Sequence, residues 1–408
     1  MNNLIKYFKT TSLSFVVFFA AFFIAANPNA YSFDYHEPVL SITNFLDSLS
    51  YDYKGFNIKL TGISVGETYD DNVTFENENE EDDFITDASI GFGISYVGKA
   101  SSFELVGNLH SQAFMKNNEF NNISEDIDFS FNHEFSENDR LSVKNFFVYS
   151  EAPLFFRDDF FDEQFVREGG RFKHYTNRFN IDYTKDISKQ ISVTVRYMND
   201  LNAFSEVDIQ TSYLNSGGFE IGYLLSSATR FSVSYDILHR QFENAEDALV
   251  NTITTGIRQY ITKKLYFDGG VGVDFIDSFD DKNYTRPLYF ASVTYEVDER
   301  TSAGISFLKK NSTNAYTADI FNEWRTAINF ERQILERFGC AFSVFYGDGE
   351  YVSSNFEREL FGVKTDLTYD INKNLRADLA YSYSDLSSNI ETTEYEKNTI
   401  FLGLIAEF

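Results

Sequence analysis

The chain has 408 residues, 18% of them aromatic, and a formal net charge of −28. With 45 Phe and 26 Tyr but only four Pro, the composition suits β-strands, where aromatic side chains fit a pleated surface. A charge this negative argues against nucleic acid as a partner, because phosphates require basic surfaces. Cys340 is the single cysteine, so no intrachain disulfide holds the fold.

The chain begins with a predicted secretory signal peptide over residues 1–30. Lys6 and Lys9 give a basic start, an apolar run follows over 13–26, and small residues near its end offer cleavage points. An uncleaved membrane anchor is the alternative, although the run is short for a spanning helix of ~20 residues. The next segment, 31–54, shows no clear alternation and is expected to be a short lead into the region that follows, 55–408.

Beyond the leader, side chains alternate with a period of two, which is typical of β-strands. In 230–237, 289–296 and 375–384, apolar residues alternate with polar and charged ones. The alternating segments run to about a dozen residues, close to the ~9–11 of a tilted membrane strand and longer than the ~5–6 of most globular strands. The pattern therefore favours strands that cross a membrane.

The connections between these segments are alternately short and long. Short turns are predicted near Val97–Ala100, Ser136–Asp139, Asp186–Lys189, Ser226–Thr229, Thr262–Lys264, Val297–Arg300, Ile334–Arg337 and Ile371–Asn374. Longer polar loops are predicted near 70–83, 116–124, 151–173, 201–208, 243–247, 279–283, 311–318, 351–357 and 389–394. Short periplasmic turns and longer outer loops are the pattern of bacterial outer-membrane barrels.

Eight turns and nine loops make seventeen connections and hence eighteen strands. Because hydrocarbon offers the backbone no partners, the sheet must close on itself. The predicted fold is therefore all-β: a transmembrane antiparallel up-and-down β-barrel of about 18 strands over 55–408, with 31–54 as a short periplasmic lead. The longest loop, 151–173, is long enough to fold over or into the pore.

Aromatic residues mark both ends of the predicted hairpins, as two interfacial girdles should. One set closes the descending strands at Tyr96, Phe135, Tyr183, Tyr223, Tyr295, Phe330, Tyr369 and Phe408, and a looser set lies at Tyr149, Tyr197, Phe275, Phe307, Tyr346 and Tyr383. Tyr260 fits the spacing but not the parity, so a bulge or a register shift is expected there.

The polar strand faces are predicted to line an aqueous lumen, because eighteen strands leave more room than side chains fill. Strand parity assigns these charged residues to the lumen: Arg178, Arg196, Arg230, Arg258, Arg325, Lys364, Arg376, Asp128, Asp182, Asp236, Asp268, Asp274, Asp366 and Asp378. One hypothesis is a charged conduit that guides a polar solute. The simpler one is that opposite charges pair across neighbouring strands and stiffen the wall.

No catalytic site is predicted. The five histidines stand beside no Ser–Asp or metal-ligating motif, and no phosphate-cradling glycine loop occurs. The acidic loop 70–83 has clustered carboxylates of the kind that bind Ca²⁺ or Mg²⁺, but a solvated loop is the simpler interpretation. The chain is therefore predicted not to be an enzyme and to need no cofactor or metal.

A family resemblance rests on the segment 65–73, Val-Gly-Glu-Thr-Tyr-Asp-Asp-Asn-Val. Its residues Tyr69, Asp70, Asp71 and Asn72 resemble the Tyr-Asp-x-Asn-Val/Ile signature of the outer-membrane β-barrel porin type 2 family. The similarity in hairpin style and length covers roughly residues 55–408. It implies an outer-membrane barrel associated with export of exopolysaccharide or capsule, and it brings no catalytic residues.

The end of the chain carries a second resemblance. Phe408, preceded by alternating apolar residues, resembles the signal read by the barrel-assembly machinery. In contrast, the mixed lumen charges depart from the basic lumen expected of an exporter of an acidic polymer, which argues against an acidic polysaccharide as cargo.

Three functions are carried forward. The first is a passive conduit that exports exopolysaccharide or a related polar polymer with periplasmic export components. The second is a general or solute-specific diffusion porin, and the third is a structural or adhesive surface barrel. In each case the expected location is the outer membrane, and the expected partners are its lipids and lipopolysaccharide and, through Phe408, the assembly machinery.

Overall fold

The computed structural model describes residues 50–53, 55–153, 159–167, 170–205, 211–243, 245–277, 283–390 and 393–407. The predicted signal peptide, most of the expected periplasmic lead and Phe408 lie outside this part of the chain.

The strands are β1 Ser50–Tyr53, β2 Phe56–Asp70, β3 Asp83–Val97, β4 Ser101–Phe114, β5 Asn122–Ser136, β6 Asp139–Ser150, β7 His174–Asp186, β8 Ile191–Phe204, β9 Ser212–Ser226, β10 Thr229–Phe242, β11 Ala248–Tyr260, β12 Leu265–Asp277, β13 Asn283–Asp298, β14 Thr301–Thr313, β15 Ile320–Leu335, β16 Phe338–Tyr351, β17 Glu357–Asn372, β18 Leu375–Ser388 and β19 Tyr395–Glu407. The described helices are α1, Phe160–Val166, and a 3₁₀ turn, Asn118–Phe120.

Eighteen strands, β2 to β19, close into one antiparallel barrel. Each pairs with the next in sequence, and β19 returns to β2 in a register that runs from Thr399 opposite Asp70 to Glu407 opposite Gly62. The predicted fold class and strand number are confirmed. Each of the eight predicted short turns joins a hairpin at one end, here called the short-turn end, and the longer connections lie at the opposite, long-loop end.

A nineteenth strand, β1, lies in the segment expected to form only a lead. It pairs with the start of β2, from Ser50 opposite Lys59 to Tyr53 opposite Phe56. Because β19 pairs with β2 only from Gly62 onward, β1 occupies the part of that edge which β19 leaves open.

Burial alternates along the strands in the opposite sense to that of a soluble sheet. On β18, the apolar Leu379 and Tyr381 are 43% and 38% exposed, whereas Ser382 and Ser384 are 2% and 1% exposed. Polar side chains thus face the interior and apolar side chains face outward, which suits a wall with hydrocarbon outside it. None of the helices in the described ranges is long and apolar enough to cross a membrane.

The bulge or register shift expected at Tyr260 does not occur. β11 pairs without interruption with β10 and β12 along its length. Tyr260 is the last residue of β11 and shares the face of Arg258, and its ring packs on Tyr266 with 5.5 Å between centroids. Because Tyr260 lies at the end of the strand, its ring is not required to face hydrocarbon. No bulge is therefore needed to turn this side chain to the outer face.

Candidate functional site

The connection between β6 and β7 folds into the barrel. Its described residues, 151–153, 159–167 and 170–173, are here called the inner segment, and they contain α1. Phe165 of α1 is fully buried and packs on Phe321 of β15, with ring centroids 5.2 Å apart. Phe161 stacks on Phe345 of β16 at 5.9 Å. These contacts fix α1 against the inner faces of β15, β16 and β17.

Two glycines make room for these rings. A Cβ atom on Gly347 would lie 3.0 Å from the ring of Phe165, and one on Gly362 would lie 2.5 Å from the ring of Phe161. Only a residue without a side chain lets a ring approach the wall this closely. The sequence therefore encodes the docking of α1 partly through two glycines on β16 and β17.

Polar groups tie the inner segment to itself and to the wall. Arg167, 3% exposed, pairs with Glu163 at 3.0 Å and donates to the carbonyl oxygen of Glu151 at 2.7 Å. Ser384 of β18 donates to the side-chain oxygen of Gln164 at 2.8 Å. Such buried polar contacts fix one position of the segment more strictly than apolar packing alone.

The far end of the inner segment reaches the other side of the barrel. The guanidinium of Arg171 lies over the rings of Phe114 and Phe120, 4.8 and 5.4 Å from their centroids. Phe172 packs edge-on against Phe204 of β8 at 6.0 Å. A segment that touches β4, β8 and β15 to β18 at once can lie only within the lumen, where it separates two cavities.

The first cavity, here the Arg171 cavity, has a volume of about 590 Å³. It lies between the inner segment and the inner faces of β2 to β5 and β19, and Asp87, Asp126 and Lys397 line it together with Arg171. Burial lowers the pKa of Arg171 to about 10, so the guanidinium stays charged at neutral pH.

The second cavity, here the Arg178 cavity, lies on the opposite side of α1 and measures about 350 Å³. Arg178 pairs there with Asp200 at 3.0 Å, and Arg325 pairs with Asp162 of α1 at 2.5 Å. Arg240, 6% exposed, donates to hydroxyl groups rather than to a carboxylate among its hydrogen bonds in the described residues.

Most of the charged residues that strand parity assigned to the lumen form ion pairs along the wall rather than one common site. Arg178 and Arg325 line the Arg178 cavity, and Asp378 lines the Arg171 cavity. Elsewhere opposite charges meet along the wall, as in the pairs Arg196–Asp236 (2.8 Å), Arg258–Asp268 (2.6 Å), Arg230–Glu220 (3.2 Å), Arg376–Asp370 (2.9 Å) and Lys364–Asp366 (3.8 Å).

Three predicted aspartates complete that set. Asp182 stands directly opposite Arg196 in the register of β7 and β8. Asp274 accepts hydrogen bonds from Thr252 and Asn311, and Asp128 lies on β5 opposite Val106. The structure thus brings most of the charges into wall pairs; contact of any of them with a passing solute stays a prediction.

The family motif forms a clasp across the barrel seam. Lys397 of β19 is 5% exposed, pairs with Asp70 at 2.6 Å and donates to the carbonyl oxygen of Asn72 at the same distance. Asn72, fully buried, donates to the carbonyl oxygen of Glu396, and Asp71 accepts from the backbone and side chain of Asn398. The motif therefore joins the first barrel strand to the last.

The acidic loop 70–83 satisfies its key carboxylates with protein donors. Asp83, fully buried, accepts backbone N–H groups from Met115, Lys116 and Asn117. Asp82 pairs with the Lys116 ammonium group at 2.7 Å, which lowers the pKa of that carboxyl. In the ranges that the structure describes, no group of three or more His, Cys, Asp or Glu side chains could hold a metal ion.

The closed sheet, the apolar outer face and the polar lumen together define a porin-like β-barrel of the outer membrane. Within that class, residues 323–408, from β15 to the end of the chain, match the family described as "Putative beta-barrel porin 2". The match confirms the family that the motif at Tyr69 to Asn72 indicated from the opposite end of the chain. The description of that family is that of a porin, a channel-forming barrel.

Solved structures with a similar architecture include OccK11 (OpdR) of Pseudomonas aeruginosa, at 11% identity and a TM-score of 0.46 over 86% of this chain and 96% of that one. OpdK of Pseudomonas aeruginosa, solved with vanillate, matches at 10% identity and a TM-score of 0.47 over 86% and 98%. The FrpB iron transporter of Neisseria meningitidis matches at 10% identity and a TM-score of 0.43 over 82% of this chain and 62% of that one.

This chain thus spans less than two thirds of the length of FrpB. Scores at this level carry no inference about solute or mechanism. No curated protein matches the sequence.

Proposed function

We propose that this chain is an outer-membrane diffusion porin for small polar solutes, with the inner segment as the element that limits their size. The observation that carries the proposal is the position of α1. Its Phe161 and Phe165 are 7% and 0% exposed within the lumen, and the spaces beside the segment measure about 590 and 350 Å³. Spaces of roughly 300–1,000 Å³ are the size of sites for single small molecules.

The outer face supports the membrane location. Apolar side chains such as Val65, Val271 and Leu402 are 53%, 60% and 61% exposed there, which would be costly in water and is favourable against lipid. We place the short turns in the periplasm and the long loops outside the cell, with lipids and lipopolysaccharide as the surroundings of the wall. Insertion by the barrel-assembly machinery through Phe408 belongs to the same proposal.

Export of exopolysaccharide, which the family resemblance implies, is the finer alternative. A threading polymer needs a wide, continuous passage, and α1 occupies part of the lumen through buried contacts with β15 to β18. Export would therefore require the inner segment to break these contacts and move out of the lumen. The diffusion porin needs no such movement, and for that reason it is the preferred function.

Two measurements on the full chain test this choice. Single-channel conductance in planar bilayers should be steady, and swelling of proteoliposomes should be fast with monosaccharides and slow with longer oligosaccharides. Oligosaccharides that enter as readily as monosaccharides would contradict the size limit and favour polymer export. A folded barrel that conducts no ions would contradict both and favour a structural or adhesive surface protein.

A further inference from the structure

The guanidinium of Arg171 presents an unused hydrogen-bonding edge inside the Arg171 cavity. Its Nε and Nη2 atoms are buried and have no hydrogen-bond partner among the described residues. These two nitrogens form one side of the planar group, the side that a carboxylate engages with two parallel hydrogen bonds. Because an unpaired buried charge is costly, this edge is suited to an anionic group from outside the chain.

The position of that edge is fixed by the wall. Phe114 and Phe120 hold the guanidinium by cation–π contacts at 4.8 and 5.4 Å. The nearby carboxylate of Asp70 is occupied by Lys397 at 2.6 Å. Arg171 is therefore both rigid and free to accept a ligand, two conditions that lower the cost of binding.

The same cavity holds carboxylates that no Lys or Arg contacts in the described part of the chain. Asp87 accepts hydrogen bonds from Thr68 and Gln112, which are neutral. Asp126 accepts from Asn108 and from a ring nitrogen of His110.

Asp87 stands opposite Gln112 in the sheet, two residues from the Phe114 that seats Arg171. Gln112 and Phe114 are therefore about 7 Å apart along β4, at ~3.3 Å per residue. Arg171 and Asp87, neither of which has an ion-pair partner in the described residues, thus line one cavity of about 590 Å³, a volume typical of a site for a single small molecule.

We infer that the Arg171 cavity binds a zwitterionic solute, an amino acid or short peptide whose carboxylate meets Arg171 and whose ammonium group meets Asp87. This inference rests on the proposed porin function and names its solute class. A solute with negative charge alone would be repelled by Asp87 and Asp126. A solute with positive charge alone would leave the Arg171 edge unpaired, whereas the zwitterion pairs both groups.

The test is block of single-channel current in planar bilayers by added diglycine, with acetate and ethylammonium as probes that carry one of the two charges. Diglycine should block at a lower concentration than either probe. Arg171→Gln and Asp87→Asn should each weaken its block by about tenfold, the order of effect of one charge-assisted hydrogen-bonded pair. Arg171→Lys, which keeps the charge but loses the fork, should fall between.

Lys116→Gln is the matched control, because it removes one positive charge from an exposed loop pair with Asp82. It should leave the block by diglycine unchanged. If acetate blocks as well as diglycine, the cavity binds anions in general. If ethylammonium blocks as well as diglycine, the cavity binds cations in general. Either result, or an unchanged block in Arg171→Gln, overturns the inference. Absence of any conductance would instead overturn the proposed function.

Discussion

The two halves of the lumen share the same strands but are filled differently. In the long-loop half, inward residues of β15 and β17 such as Phe321 and Leu360 are 0% exposed, because the inner segment covers them. In the short-turn half, inward charges remain open to solvent, as in the pair Arg376–Asp370 with side chains 36% and 40% exposed. One half is packed like a protein core, and the other is a vestibule whose charged side chains are open to solvent.

This difference separates two tasks that the barrel performs. The vestibule needs only polar side chains with solvated partners, so its ion pairs contribute little to stability. In the proposed porin the packed half sets the width of the passage. Its contacts exclude water, so each contributes more to stability and tolerates less change. Substitutions should therefore have large effects near the long loops and small effects near the short turns.

The largest effect is expected from the double variant Phe161→Ala and Phe165→Ala. Each lost buried ring costs roughly 3–5 kcal/mol, so α1 should leave the wall and the packed half should come to resemble the vestibule. Single-channel conductance should rise and the size limit for sugars should relax.

The control for that variant is Phe342→Ala, on the outward face of β16 and 40% exposed. It removes the same atoms from the lipid side of the same strand, and conductance should not change. A double variant that folds and conducts like the parent would show that the inner segment does not limit the passage.

The seam clasp provides the second comparison. Lys397→Met leaves the buried Asp70 without its cation, at a cost of roughly 3–5 kcal/mol. Arg376→Met breaks the exposed pairs with Asp370 and Glu407 in the vestibule and should cost about 0–1 kcal/mol. Urea unfolding followed by the fluorescence of Trp324, the single tryptophan, measures both free energies of unfolding. Equal losses would contradict the contrast between the halves.

The barrel wall was predictable from the sequence, but the packing of the inner segment inside it was not. Alternation and turn residues are local signals, and they located the hairpins and the strand number. The contact of Phe165 with Phe321 and Phe345 joins residues more than 150 positions apart, and no local pattern encodes it. No local pattern distinguishes Gly347 and Gly362, over which the rings of α1 lie, from other strand glycines.

Only one side of the clasp across the barrel seam was identified from the sequence. Asp70 and Asn72 were singled out as a motif, but their partner Lys397 was missed. Closure of the barrel brings the last strand beside the first, and the alternation in β19 places Lys397 on the face of Asp70. That reasoning would have suggested the pair. No sequence pattern pointed to Arg171, because its contacts with Phe114 and Phe120 depend on where the inner segment crosses the lumen.

A smaller effect is expected where the two halves meet, at Gly218 of β9. The ion pair between Arg196 and Asp236 spans β9 there, and a Cβ on Gly218 would lie 2.0 Å from a carboxylate oxygen of Asp236. Gly218→Ala should displace that carboxylate and cost about 1–3 kcal/mol, as overpacking does. Gly217→Ala, with nothing within 4 Å of the added atom, should stay within about 0.5 kcal/mol in the same urea assay. Equal effects would mean that the ion pair is not held over the glycine.

The smallest effect is a dependence of conductance on pH in the acid range, and it sharpens the account of how α1 is held. Burial raises the pKa of Asp162 above its ordinary value of 3.8, although the Arg325 guanidinium opposes the shift. A carboxyl whose pKa is raised in the docked segment binds a proton more readily when docked. Lowering the pH through the window between the raised pKa and 3.8 should therefore strengthen docking and slightly reduce conductance. Asp162→Asn should abolish this part of the pH response, and Asp82→Asn, in an exposed loop pair, should retain it. Conductance that rises with acid in the parent but not in Asp162→Asn would mean that the attraction to Arg325, rather than burial, governs the docking of α1.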